Sequence, residues 1–350
     1  MPNAKLAVTS DFGSFDDRAR YGLRTVLPEV PKGRWWLAGK IMPQAFRQTN
    51  GLLAESEIDA VLDASGFAFG DQLGAARVQK FASDVKRWKR QGKPVVLLPQ
   101  AFGPFEIPEI RSAFQDVAKN VDLIFARESK SLEYLSQLGV SSSKLKQAPD
   151  FTNLIKCPPT SSREHQVYQS LLVPNHQMIA KANDEQARKY IPFLARCYRH
   201  LQGIGLQPAV LLHDDCVDKQ LVEPLRQELN EDVPVLTDTN PLELKAILGR
   251  AKLVIGSRFH ALVGALSQSV PTIAAGWSHK YQMLLADYDC QDATLTVDAT
   301  PAEIADLVTQ INRERHDRHR VLMQAGETLR EESQEMWRAV LDAIAFDPQS

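Results

Sequence analysis

The sequence predicts an α/β protein with two domains, and three observations support this. Short apolar runs rich in β-branched residues alternate with segments in which apolar residues recur at helical spacing. At 350 residues, the chain is long for a single hydrophobic core. Several predicted strands end in small or polar residues, which is typical of parallel sheets that bind ligands in the loops at their carboxyl ends.

Composition narrows the class of protein. Hydrophobic residues make up 44% and charged residues 24% of the chain, which is ordinary for a globular protein. The net charge of −2 provides no strong field for nucleic acid, so no nucleic-acid partner is expected. The four cysteines form no C-x-x-C pair, which argues against a zinc knuckle and favours a reducing compartment. Without a signal-peptide run or an apolar stretch of membrane-spanning length, we expect a cytoplasmic protein.

The first predicted domain covers residues 1–155. Its strands are predicted at 5–9, 34–37, 58–62, 93–100 and 123–126, and its helices at 16–27, 75–91, 111–119 and 129–139. The loop after the first strand contains Asp11 but lacks a G-x-G-x-x-G dinucleotide fingerprint. In the small-residue loop 63–71, Gly66 permits a positive φ or a close ligand approach, and both a plain loop and a binding loop fit the pattern.

Arg127 directly follows the apolar strand 123–126. Open α/β sheets bind ligands at the carboxyl ends of their strands, so this position favours a functional arginine. An ion pair with Glu128, or a role at the start of the next helix, is the structural alternative.

A Pro/Ser-rich segment, 156–165, is the predicted linker to a second domain at 166–315. Strands are predicted there at 167–173, 208–212, 233–236 and 253–256 and from residue 272, and helices at 184–204, 221–229, 241–251 and 301–314. Asn240 is a natural N-cap for the helix that starts at Pro241. The remainder, 316–350, contains an amphipathic helix over 320–345 that is predicted to pack over the domain seam, with a coiled-coil partner helix as the alternative.

His213 follows the predicted strand 208–212. It is either a ligand contact or, with Asp214 and Asp215, part of a weak metal site. Because one histidine beside two adjacent carboxylates is common in solvated loops, we expect no metal.

The stretch 253–287 carries the clearest site. A β-branched strand ends at Gly256 and Ser257, and a helix follows. The first turn of a helix offers unpaired N–H groups and the positive end of its dipole, so an anion there would also meet Arg258 and His260. The alternatives are an ion pair for Arg258 and a packed structural role for His260.

Together these segments resemble the polysaccharide pyruvyl transferase family. The matching strings are LLPQAFGP (97–104), ARES (126–129), APD (148–150), LLH (211–213) and GSRFHAL (256–262), followed by the Val270-Pro271 strand start. The resemblance extends from about residue 63 to residue 288. Two loops depart from the family pattern, namely Ser10–Ser14, where members often have Gly-Asn-x-Gly-Asp, and Ser65-Gly66-Phe67, where members have a run of glycines.

The resemblance implies two Rossmann-like domains facing a cleft, as in GT-B glycosyltransferases, and transfer of pyruvate from phosphoenolpyruvate to a sugar as a ketal. His260, Arg127 and Arg258 are then the catalytic residues, with no metal and no cofactor. The implied substrate-binding residues are Asp11, Gly66, Gln100, Gly103, Asn175, His213, Ser257, Phe259 and Lys280. A carboxylate and a phosphate on the donor suit two arginines, and a histidine suits proton transfer near neutral pH.

Two other functions stay open on the sequence. A nucleotide-sugar glycosyltransferase of GT-B fold would need a nucleotide site in the second domain, and a catalytically idle glycan-binding or assembly protein would have lost its anion pocket. The acceptor, a sugar or oligosaccharide that is free or lipid-linked, is not specified. A lipid-linked acceptor would place the protein at the inner face of the membrane. The oligomeric state is also not indicated.

Overall fold

The chain folds into two compact units. The computed structural model describes residues 4–27, 41–155, 157, 168–180, 183–276 and 279–345. Met1–Gln147 with Met336–Ser350 forms the first unit, and Ala148–Glu335 forms the second. The first unit thus ends ahead of the predicted boundary at 155, because the 3₁₀ turn Phe151–Leu154 packs on a helix of the second unit, Phe259–Leu266. The predicted linker lies outside the described residues apart from Cys157.

The first unit contains two parallel sheets. Strands β1 (Ala7–Thr9), β2 (Arg24–Leu27) and β3 (Leu52–Ala54) pair in that order. The larger sheet consists of β4 (Val61–Asp63), β5 (Phe67–Phe69), β6 (Val95–Phe102), β7 (Leu123–Ala126) and β8 (Leu145–Gln147). Its order is β4-β6-β7-β8, and β5 also pairs with β6. The helices in the described part of this unit are Phe15–Arg20, Gln44–Thr49, Ala75–Arg90, Pro108–Asn120 and Ser129–Gln137.

An aromatic cluster fixes the carboxyl end of β6. The ring of Phe114, on the helix Pro108–Asn120, lies 5.2 Å from the Phe69 ring, 5.6 Å from the Phe102 ring and 4.8 Å from the Phe105 ring, measured between centroids. All four side chains are buried. Aromatic burial on this scale contributes strongly to core stability, so the loop after β6 starts from a rigid base.

The second unit is a doubly wound sheet in which every strand pair is parallel. Its strands are β9 (Ser170–Val173), β10 (Pro208–Leu212), β11 (Val235–Thr237), β12 (Leu253–Gly256), β13 (Thr272–Ala275) and β14 (Thr294–Leu295). The spatial order is β11-β10-β9-β12-β13-β14. This is the 3-2-1-4-5-6 order of the Rossmann fold, so the order reverses between β9 and β12. β9, β10, β12 and β13 are buried along their whole length, as expected for a parallel sheet covered on both faces.

Helices alternate with these strands, as the apolar periodicity predicts. The helices are Gln177–Ala180, Asp184–Gly203, Asp215–Asp218, Val222–Leu229, Pro241–Gly249, Phe259–Leu266, His279–Asp287, Pro301–Arg313 and Arg315–Ala343, the last with its end grouped in the first unit. The predicted cap at Asn240 is confirmed, since its side-chain oxygen accepts from the Leu242 backbone N–H at 3.0 Å. Asn183 caps Asp184–Gly203 in the same way.

Two predictions of local structure were wrong. The helix predicted over 16–27 ends at Arg20, because Gly22 takes a positive φ of 64° and the following residues pair as β2 between β1 and β3. The loop predicted over 63–71 contains β5, in which Ala68 and Phe69 are buried against β6. The strand predicted at 34–37 lies outside the described residues.

Gly103 provides a stability test of the first unit. It has a φ of 80°, and a Cβ there would lie 2.6 Å from the Tyr134 ring. We expect Gly103→Ala to lower the free energy of unfolding by about 2–4 kcal/mol, from backbone strain plus overpacking. Gly92→Ala is the matched control, because its φ is 76° but nothing lies within 4 Å of the added carbon. We expect that control to lose only about 1 kcal/mol in urea denaturation; equal losses would show that the Tyr134 contact is unimportant.

Candidate functional site at the carboxyl edge of the second sheet

The loops after β9 and β12 meet at the point where the strand order reverses. β9 leads to Asn175, and β12 leads to Ser257 and Arg258. Because these two strands are paired neighbours, their carboxyl ends bring the two loops together. This is the position at which open α/β sheets bind ligands.

Ser257 is the centre of a buried hydrogen-bond network. Its carbonyl oxygen accepts from Asn175 Nδ2 at 2.8 Å and from the Tyr281 hydroxyl at 2.7 Å. Its Oγ accepts from the Tyr190 hydroxyl at 3.0 Å, and that hydroxyl oxygen accepts in turn from the Asn175 backbone N–H. Burial raises the pKa of Tyr281 to about 12 and also raises the pKa of Tyr190, so both phenols stay protonated donors at neutral pH. The network therefore fixes the loop from which Arg258 and His260 project.

Gly276, at the end of β13, lets Tyr281 reach this network. A Cβ at Gly276 would lie 2.6 Å from the Tyr281 ring. Lys280 is the neighbouring predicted site residue. It lies in the helix His279–Asp287 rather than in the loop after β13, with Nζ 5.2 Å from the centre of the Tyr281 ring.

Arg258 forms the ion pair that the sequence left open as an alternative. Its Nε and Nη2 donate to the two oxygens of Asp218 at 2.8 and 2.6 Å, and Nη2 also reaches Asp214 at 3.3 Å. Asp218 is fully buried and accepts the His176 backbone N–H at 2.9 Å. A bidentate arginine on a buried carboxylate is held firmly, and removing either partner is costly. The Arg258 side chain thus also ties the loops after β9 and β10 to the helix start after β12.

His213 is a neutral histidine at neutral pH. It follows β10, and its pKa falls to about 4, first because partial burial desolvates the ring and then because His260 and Arg258 lie close enough to repel a positive charge. A neutral imidazole has one donor and one acceptor nitrogen, which suits hydrogen bonding to a substrate more than pairing with an anion.

His260 differs from His213 in exposure and surroundings. It lies in the first turn of Phe259–Leu266, its side chain is 58% exposed, and its Nε2 is 3.8 Å from Oδ2 of Asp150. The Phe259 ring stands edge-on to the imidazole with centroids 5.7 Å apart, and Phe259 itself packs against the core. An exposed imidazole beside a carboxylate is suited to proton transfer.

The first unit has a separate polar group at the ends of β4, β6 and β7. Gln100 is buried; its Nε2 donates to Asp63 Oδ2 at 2.7 Å, and its Oε1 has no hydrogen-bond partner among the described residues. The Arg127 backbone N–H donates to the Gln100 carbonyl at 3.0 Å. The buried Arg127 guanidinium has its Nε 4.0 Å from Glu128 Oε2, so the ion pair left open as an alternative is present at long range.

The other predicted residues of the first unit are more dispersed. Gly66 has a φ of 72° and precedes β5, and Gly103 follows β6. Asp11 lies in the loop after β1, and its pKa is lowered chiefly by a hydrogen bond with the Thr9 side chain. The structure therefore groups Gln100 with Arg127, and groups Asn175, His213, Ser257, Arg258 and His260 within the second unit.

Sequence reasoning missed two of the carboxylates beside His260 and Arg258, namely Asp150 and Asp218. Asp218 lies in a four-residue helix with no local spacing that marks it, and only the fold brings it to Arg258. Asp150 did carry a signal, because it belongs to a string that matches the family, but no role had been assigned to it. Within the described ranges, no cluster of three or more His, Cys, Asp or Glu side chains could hold a metal ion. The same described ranges contain no helix that is long and apolar enough to cross a membrane.

The low pKa of His213 predicts a pH dependence of stability. An unfolded histidine takes up a proton near pH 6.5, whereas folded His213 does so only near 4. The contribution of His213 to the free energy of unfolding is therefore fully present above pH 6.5. It is lost as the pH falls from 6.5 toward 4, which lowers the free energy of unfolding by about 3 kcal/mol. We expect His213→Gln to flatten the dependence of the urea midpoint on pH in this window. The control His200→Gln removes a less buried histidine whose pKa is lowered less, so it should flatten the curve less; an equal effect would contradict the assignment.

Comparison with known proteins gives the family. The chain is 21% identical over 292 residues to the amylovoran biosynthesis protein AmsJ of Erwinia amylovora, a match that covers 73% of this chain and 66% of that protein. Among solved structures it is similar to a putative UDP-N-acetylglucosamine 2-epimerase from Listeria monocytogenes, with a TM-score of 0.57, 11% identity and 98% of each chain covered.

It is also similar to Anabaena Alr3699/HepE in complex with UDP and glucose, with a TM-score of 0.57, 13% identity and coverage of 97% of this chain and 92% of that one. At these identities the likeness shows the fold alone, which is the predicted α/β, GT-B-like class. The model of the polysaccharide pyruvyl transferase family matches residues 5–279. This span includes β9, β12 and the site between them, and the chain belongs to the polysaccharide pyruvyl transferase family.

Proposed function

We propose that the protein transfers the pyruvyl group of phosphoenolpyruvate to two hydroxyls of a sugar, forming a ketal and releasing phosphate, in the biosynthesis of a cell-surface polysaccharide. The observation that carries the proposal is the position of His260. It lies exposed in the first helical turn after β12, at the reversal of the strand order, with Asp150 beside it. Family membership and the likeness to an amylovoran biosynthesis protein support the class of reaction and of acceptor.

The chemistry requires proton transfers that a histidine can perform. The methylene carbon of phosphoenolpyruvate gains a proton, and one sugar hydroxyl loses its proton as its oxygen bonds to C2. The second hydroxyl then bonds to C2 while the bond from C2 to the phosphate oxygen breaks, and its proton leaves with the phosphate. An imidazole side chain can serve as acid or base for these steps, and we assign this role to His260.

Anion binding is the second requirement. The donor carries a carboxylate and a phosphate, which arginines and the N–H groups of a helix start accommodate. Arg258 keeps Nε and Nη2 on Asp218 and Asp214, so we assign its Nη1 and the first turn of Phe259–Leu266 to the anion. Arg127 is the second arginine of the proposal and belongs to the first unit. Neutral His213 and the ammonium of Lys280 complete the predicted donor contacts.

The first test measures phosphate release from phosphoenolpyruvate with a panel of acceptor glycosides. We expect acceptor-dependent release by the wild type and a loss of about 10²–10⁴-fold in His260→Ala, because general acid–base catalysis contributes on that scale. Arg127→Ala should also lose activity. His200→Ala is the matched control, since this histidine belongs to the same unit but contacts Thr309.

The outcome separates the proposal from the other functions. Tight binding of a nucleoside diphosphate without phosphate release would indicate a nucleotide-sugar glycosyltransferase. Failure to bind phosphoenolpyruvate in a direct titration would indicate a protein that retains the fold without this chemistry.

The second test concerns Arg258. Arg258→Lys keeps the charge but cannot contact both Asp218 oxygens and an anion together. We expect the Kd for phosphoenolpyruvate to rise about tenfold or more in calorimetry, and the free energy of unfolding to fall by about 3 kcal/mol as buried Asp218 loses its bidentate partner. Arg250→Lys is the control, because Arg250 donates from Nε to the Ala246 carbonyl at the end of its own helix. An unchanged Kd in folded Arg258→Lys would limit Arg258 to a structural role.

A further inference from the structure

Asp150 is held in a fixed orientation next to His260. Its Oδ1 accepts from the Thr152 backbone N–H at 3.1 Å and from the Thr152 hydroxyl at 2.6 Å, as the cap of the 3₁₀ turn Phe151–Leu154. Its Oδ2 lies 3.8 Å from His260 Nε2. The side chain of Asp150 is largely buried, whereas that of His260 is largely exposed. One carboxylate oxygen is thus used by the turn, and the other is directed at the imidazole.

The 3₁₀ turn that Asp150 caps is held in place by a buried lysine and by a neighbouring helix. The buried Lys245 donates from Nζ to the Thr152 carbonyl at 2.7 Å, and its pKa is lowered by burial in spite of the nearby Asp150 and Cys157. The turn also packs on the helix Phe259–Leu266, which carries His260. Within the described ranges, this neighbourhood also contains Arg330, which acts on Lys245, and Tyr288, on which Asp150 acts. These contacts hold the turn against the helix, and they therefore fix the backbone positions from which the Asp150 and His260 side chains extend.

We propose that Asp150 is the positioning residue of His260: its Oδ2 accepts the Nε2–H of the imidazole, holds the ring in that orientation and stabilises the imidazolium. Nδ1 is then the atom that exchanges a proton with the substrate. The proton on Nε2 stays on the ring throughout, and Asp150 stays a carboxylate. The identity of the substrate rests on the proposed function, whereas the pairing of the two side chains does not.

The distance of 3.8 Å is longer than a hydrogen bond. Catalytic contacts are often long in the absence of substrate and shorten in the complex. A carboxylate at this range also favours the protonated imidazole through charge alone. Among the described residues, His213 and His260 act on each other electrostatically, and the nearby guanidinium of Arg258 is paired with Asp218 and Asp214. Asp150 is therefore the carboxylate that is placed to stabilise a positive charge on the His260 imidazole.

The test is an NMR titration of histidine-labelled full-length protein, with the His260 signals assigned by their loss in His260→Gln. Asp150→Asn keeps an oxygen that accepts from Thr152 but removes the charge. Asp238→Asn is the matched control, because Asp238 Oδ1 accepts the backbone N–H two residues ahead, from Asn240, as Asp150 does from Thr152. We expect the titration of His260 to move to lower pH in Asp150→Asn and to stay in place in Asp238→Asn. An unchanged titration in Asp150→Asn would overturn the proposal.

A second readout does not depend on the Asp150→Asn variant. The ¹⁵N shifts of neutral His260 in the wild type should show the proton on Nε2, and a proton on Nδ1 would contradict the assigned orientation. This keeps the proposal testable if Asp150→Asn does not fold.

Kinetic measurements then provide a readout that a purely structural role of Asp150 would leave unchanged. With phosphoenolpyruvate and an acceptor, kcat of Asp150→Asn should fall about 10- to 100-fold with KM for the donor unchanged, and the limb of the pH profile that reports His260 should move to lower pH. A rise of KM with kcat unchanged would overturn the positioning role. If the wild type releases no phosphate from phosphoenolpyruvate, the proposed function fails, while the NMR titration still decides the pairing of Asp150 with His260.

Discussion

The parallel pairing of β9 with β12 determines where the chemistry of the second unit lies. It places the loop after Val173 beside the loop after Gly256, so that Asn175 reaches the Ser257 carbonyl and the His176 N–H reaches Asp218. Tyr190 and Tyr281 then complete the contacts of Ser257. Because these polar groups are paired and most of them are buried, the loop has one well-defined conformation. The loop therefore fixes the position of the helix start that carries Arg258 and His260.

Charge is distributed unevenly over this edge of the sheet. Arg258 faces two carboxylates, His213 is kept neutral by burial, and His260 remains exposed beside Asp150. The two histidines are therefore suited to different tasks, even though they lie close enough to influence each other. Environments that give neighbouring titratable groups different pKa values are common in catalytic sites. The opposite surroundings of His213 and His260 follow from the elements that carry them, namely the end of a buried strand and the first turn of a helix.

The sequence predicted this edge of the fold well and its internal contacts poorly. Strands such as Leu123–Ala126 and Pro208–Leu212 were predicted to the residue, since buried parallel strands are continuous apolar runs with sharp polar ends. The residues that follow them were identified for the same reason. Asp218 could not be predicted as the partner of Arg258, because the pairing joins positions 40 residues apart through the fold. The segment 16–27 was misread because a single glycine divides a helix from a strand whose pairing is non-local.

Gly276 and Tyr281 have a consequence for redesign of this protein. The phenol reaches the Ser257 carbonyl only because no side chain occupies position 276, where a Cβ would lie 2.6 Å from the ring. Substitutions at the two positions are therefore coupled, and a change at one is tolerated only if the other changes with it. Libraries aimed at new substrates should keep this pair constant. Variation is better directed to exposed residues, whose side chains do not support the buried network.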